Sequence, residues 1–164
     1  MAVWQFDLRM VPRDSVCAFV SDESDGIGDD MIDAVDWWRS AELPAGWEAR
    51  VDQVLPRSAS WDPEWRVFGS EQGTRVDVIS TGGRIEEVRL RLDARELGPS
   101  VLEQLMELVK DARCSLVTPT GRVIEPDPSS VWVELELSPA RKYVRDPSAF
   151  LNDLSRRRET SGEQ

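Results

Sequence analysis

The stretch from Trp65 to Leu92 constrains the fold more than any other part of the chain. Three runs, Trp65–Gly69, Thr74–Ser80 and Arg84–Leu92, are separated by Ser70-Glu71-Gln72-Gly73 and by Gly82-Gly83, both of them hairpin turn chemistry. The spacing predicts a three-stranded antiparallel meander over about 65–92. The second hairpin also limits its own register. A plain two-residue Gly82-Gly83 loop would pair Val78 with Glu87 and Val76 with Arg89, setting charges on the apolar face. One extra residue, from a three-residue loop or a bulge at Glu86/Glu87, places Val78 opposite Val88 and Val76 opposite Leu90. That irregularity is expected.

Residues 3–11 alternate as a first strand, with Trp4, Phe6, Leu8 and Met10 on one face and Gln5, Asp7 and Arg9 on the other. Helices are expected near 29–40, with Ile32, Val35 and Trp38 facing inward, and over 44–55, where Pro56 ends the run. A longer helix starts at Ser100 in a capping box with Glu103 and carries a broad apolar face. Cys114–Thr118 and Arg122–Glu125 read as short strands. Asp146-Pro147 opens a last helix with Phe150, Leu151 and Leu154 as its buried stripe. Residues 127–138 are ambiguous. Val131, Val133, Leu135 and Leu137 alternate like a strand, whereas Asp127-Pro128 opens like a helix. Together these elements predict a single α+β domain over 1–155, with an antiparallel sheet of five or six strands, helices mainly on one face, and a polar tail over 156–164.

Charge narrows the function classes. The chain carries 31 acidic against 20 basic side chains, a net charge of −11, which makes nucleic acid a poor partner. A cationic partner is the better expectation. No stretch approaches membrane-spanning length and no charged leader precedes an apolar run, so a cytoplasmic protein off the membrane is expected. Cys17 and Cys114 read as two free, buried thiols, although a bridge between them stays open.

The chain has no histidine. That excludes Cys–His and Ser–His nucleophiles and removes the commonest metal ligand. Gly26-Ile27-Gly28 lacks the third glycine of a phosphate loop. As a calcium loop, Ser21, Glu23 and Asp25 would take the first ligand positions, but Ile32 falls where a bidentate Glu is needed. No catalytic set, metal or cofactor is expected.

Residues 14–38 hold eight carboxylates and neither Lys nor Arg. Asp29, Asp30, Asp33 and Asp36, with Trp37 and Trp38, are the candidate binding residues, because aromatic rings among carboxylates grip Arg and Lys by ion pairing and cation–π contact. On a helix Trp37 and Trp38 would point about 100° apart and bury unequally. Trp61 and Trp65 likewise flank Asp62-Pro63-Glu64. The leading expectation is a non-enzymatic acidic protein that holds a basic protein partner. The alternatives are a self-associating domain forming a homo-oligomer, and a carboxylate or metal-dependent enzyme drawing on Asp29/Asp30/Asp33, Glu86/Glu87, Glu134/Glu136, Asp77 or Asp93.

Several segments share a layout with known sequences: Trp4-Gln5-Phe6-Asp7, Trp37-Trp38, Leu55-Pro56 before Ser60-Trp61, Val67-Phe68-Gly69, Gly121 to Pro126, and Tyr143 to Leu151. In these the chain resembles an uncharacterised family of small bacterial proteins, loosely similar to the acidic immunity-type proteins found beside toxin genes. The resemblance spans nearly the whole chain and implies that 127–138 is helical.

Overall fold

In the computed structural model, which describes residues 2–19 and 26–161, the alternating N-terminal run forms β1 (Gln5–Pro12). α1 (Arg13–Cys17), α2 (Asp29–Ala34) and α3 (Trp47–Val54) follow. Next come β2 (Arg57–Ser58), β3 (Trp65–Gly69), β4 (Arg75–Thr81) and β5 (Arg84–Asp93). α4 (Pro99–Asp111), β6 (Cys114–Val117) and β7 (Val123–Ile124) lead to α5 (Pro128–Leu137), α6 (Pro139–Arg145) and α7 (Pro147–Ser161). The result is one α+β fold on a seven-stranded antiparallel sheet, ordered β2-β3-β4-β5-β1-β6-β7. The two-residue β2 is the strand that sequence periodicity missed.

The meander forms with the expected register. Val78 lies opposite Val88 and Val76 opposite Leu90, while Ile79 faces Glu87 and Ser80 faces Ile85. Glu86 is therefore the extra residue. The Gly82-Gly83 loop keeps its two residues, both at positive φ, between Thr81 and Arg84.

β1 inserts between β5 and β6 and pairs Phe6, Leu8 and Met10 with Leu92, Leu90 and Val88. All six are buried and join Leu102, Leu105, Met106 and Val109 of α4 in one core. Successive side chains on a strand point to opposite faces, so Asp7, Arg9, Arg75, Asp77, Glu87, Arg89 and Arg91 share the other face of the sheet. α2 lies on that second side, tied to Arg9, whose Nη1 donates to the Ile32 carbonyl at 2.7 Å.

Three local expectations change. α2 stops at Ala34 because Val35 turns extended (φ −93°, ψ 131°), so Trp37 and Trp38 sit in a turn and not on a helix. α4 begins one residue early: Pro99 takes the first helical position behind Gly98, and the Ser100 hydroxyl accepts from Gln104 instead of closing a capping box. α7 continues helically through the expected tail to Ser161, and its Leu151 and Leu154 are exposed (52% and 40%). Only Phe150 is half-buried, edge-on to Tyr143 at 5.8 Å.

Residues 127–138 resolve as helix. The Asp127 carboxylate accepts from the Ser130 N–H at 3.0 Å, a side-chain N-cap, and Val131 and Leu135 bury at i, i+4 spacing. Among the described residues, no helix is long and apolar enough to cross a membrane.

Candidate functional site

The second face of the sheet is a lattice of arginines and carboxylates. Strand register places Asp77 opposite Arg89 and Arg89 opposite Arg9, and in the next row Arg75 opposite Arg91 and Arg91 opposite Asp7. Asp77, 1% exposed, is the centre. Arg75 grips it through Nε at 2.9 Å and through Nη2, and Arg91 Nε approaches at 3.9 Å. Glu87 in turn accepts from Arg89 Nη2 at 2.8 Å and lies 3.2 Å from Arg9 Nε. Asp77 and Arg75 are the most deeply buried of these, and charges so buried persist only when paired. The lattice therefore makes a stiff polar floor.

One wall of this floor is the loop between β2 and β3. The Asp62 carboxylate accepts from the Glu64 N–H at 2.8 Å, and the Asp62 carbonyl accepts from the Trp65 N–H at 3.1 Å. These are the local bonds by which Asp organises a turn. Glu64 Oε1 accepts from the Gly83 N–H at 3.3 Å, binding the loop to the neighbouring hairpin. So braced, the loop holds Trp61 outward at 84% exposure, edge-on to Trp65 at 6.2 Å. Trp65 connects wall to floor, for its indole N–H donates to Asp77 at 2.8 Å and Arg75 lies 5.8 Å from its ring centre.

The opposite wall is α2. Gly121, at φ +81°, brings its carbonyl to the Ile27 N–H at 2.7 Å, and Gly26 bridges to Arg122. A Cβ on Gly121 would stand 1.9 Å from the Ile27 oxygen, so only glycine permits this approach. The junction sets α2 over β1 and β6, where Asp33 pairs with Arg9 at 2.8 Å. A cavity of about 230 Å³ remains between α2 and the sheet, lined in part by Asp7, Ile32, Asp33 and Val117. Burial pushes the Asp7 carboxyl above its ordinary value, against the pull of Arg91 and Arg89. β3, which follows the Trp61 loop, and β1, under α2, are three strand spacings or about 14 Å apart, and the charged face between them is the trough that the two walls border.

The candidate residues read from sequence separate in the structure. Trp37 and Trp38 are buried (3% and 2%) and belong to the core. They bury equally, and neither offers a ring surface to a partner. The Trp37 indole donates to the Ile32 carbonyl at 2.9 Å, its own carbonyl accepts from the Ser15 hydroxyl at 2.7 Å, and Phe19 packs edge-on at 5.2 Å. Asp33 and Asp36 are exposed but already engaged, with Arg9 and Arg84 respectively. Asp29 and Asp30 lie in α2, with side chains outside the described part. The candidate calcium ligands Ser21, Glu23 and Asp25 lie outside the described residues. Of the tryptophans, Trp61 is the one left open to solvent, and its signal was the flanking Asp62-Pro63-Glu64.

Both cysteines are free, Cys17 exposed and Cys114 buried, so the expectation of two buried thiols holds for Cys114 alone. Among the described residues, no group of three or more Cys, Asp or Glu side chains is arranged to hold a metal ion. Comparison with protein-family models, with curated proteins and with solved structures gives no match to this chain.

Proposed function

We propose that this protein is a binding module that holds a basic protein partner across the trough between Trp61 and α2. Trp61 carries the reading. A tryptophan 84% exposed, on a loop braced by four hydrogen bonds to Asp62, Glu64 and their neighbours, loses little freedom when a partner covers it. Its neighbours Asp62 and Glu64 are carboxylates, the setting in which an indole face receives Arg or Lys. A net charge of −11 favours encounter with a cationic protein and makes association weaken with salt. An immunity-type inhibitor of a cationic toxin is the concrete form of this role.

The test is capture from host lysate by the tagged full chain, run beside Trp61→Ala at low and high salt. A basic protein held by the wild type at low salt, released at high salt and missing from Trp61→Ala, supports the reading. Equal capture by both proteins contradicts it.

A second reading, self-association, is favoured by the exposed Leu151 and Leu154 of α7. A solution mass of twice 18.6 kDa at micromolar concentration, reverting to one chain in Leu151→Glu, would support it. A single-chain mass would remove it.

A further inference from the structure

We infer that the cavity under α2 receives a cationic side chain, Arg or Lys, from the partner that lies in the trough; this rests on the function proposed above. The cavity lies between α2 and the sheet and holds about 230 Å³, room for one long side chain and little more. Ile32, Val117 and Pro119 supply apolar walls. Such walls suit the methylene stem of a residue that keeps its charge at the tip.

Asp7 is the carboxylate that would meet that tip. Its carboxylate makes no hydrogen bond among the described residues; Oδ1 is closed off against Arg91, and the 21% of the side chain that stays open belongs to the rest of the group. Arg91 Nε lies 3.3 Å away, but its alignment makes no hydrogen bond, and that nitrogen is itself unsatisfied. The two cations that line the cavity, Arg9 and Arg89, are committed elsewhere. Arg9 is held by the Ile32 carbonyl, Asp33 and Glu87, and Arg89 by Glu87. An incompletely satisfied carboxylate beside an apolar slot gains most from a donor that brings its own positive charge. Asp33, at the rim, supplies a second carboxylate.

The cavity is testable apart from any partner. Trp37 reports on it, because its indole N–H is bonded to the carbonyl of Ile32 in the cavity wall. Titration of N-acetyl-argininamide into ¹⁵N-labelled full chain should move the Trp37 indole signal saturably, assigned through Trp37→Phe, and leave it still in Asp7→Asn. Acetate should leave it unmoved. A shift with acetate and none with argininamide would make this an anion site drawn by Arg9 and Arg89 and overturn the inference; so would a static signal with both probes. Against the captured partner, Asp7→Asn should weaken binding about tenfold. Undiminished affinity in Asp7→Asn together with loss in Trp61→Ala would keep the trough and remove the cavity from the account.

Discussion

The indole nitrogen of Trp65 donates to Oδ1 of Asp77 at 2.8 Å. Through this bond the Trp61 loop at one side of the sheet rests on the charged floor. Asp77 also neutralises Arg75, whose side chain is 9% exposed.

Asp77→Ala would therefore strand a buried guanidinium and an indole N–H together. Breaking a buried pair by removing one partner costs about 3–5 kcal/mol. For a chain of this length that lowers Tm on the order of 10 °C. Asp77→Asn keeps an acceptor for Trp65 and should fall between Ala and wild type in a thermal melt.

The tryptophans should divide by burial. Trp38→Ala empties a core position and should cost about 3–5 kcal/mol, whereas Trp61→Ala should stay within about 0.5 kcal/mol of wild type. Urea unfolding followed by far-ultraviolet dichroism measures both. A large loss in Trp61→Ala would mean that the exposed ring supports the fold and is not held for a partner.

Asp7 should cost stability at neutral pH. Burial raises its carboxyl above the ordinary value of 3.8, so the folded state holds that proton more tightly than the unfolded chain does. Stability from this group is thus lost as pH rises from about 3.8 through its folded value, and it stays lost at pH 7. Asp7→Asn, which removes the charge, should melt higher than wild type at pH 7, with the difference closing below pH 4. A lower melting temperature for Asp7→Asn at pH 7 would contradict this.

The two thiols should differ in reactivity. Burial pushes Cys114 up to about 12, while Cys17 is exposed. Ellman's reagent at pH 8 should titrate one thiol in the native protein and two in denaturant, and Cys17→Ser should be silent until unfolded.

What the sequence made legible was local or tied to a charge penalty. The bulge at Glu86 could be read because any other register would bury Glu87 and Arg89 among valines. Asp127-Pro128 opened a helix because the carboxylate caps it. Trp37 and Trp38 were misread once the helix was carried past Val35, where the chain turns both rings into the core. The stripe on α7 was read as buried, since periodicity shows which residues share a face but not whether anything covers it. The charged floor was out of reach for a different reason. It exists only because β1 enters the sheet beside β5, bringing Asp7 to Arg91 across more than eighty residues of chain. Trp61 was noticed beside its carboxylates, but its exposure follows from bonds the loop makes to Glu64 and Gly83.

The most direct test of the central claim is the dissociation constant of the captured partner for wild type and for Trp61→Ala, measured by calorimetry at about 50 and 300 mM salt. The structure predicts at least tenfold weaker binding for Trp61→Ala at either salt, and weaker binding of both proteins at the higher one. Equal constants for the two proteins would show that the partner does not lie against Trp61, and the trough would no longer be the binding site.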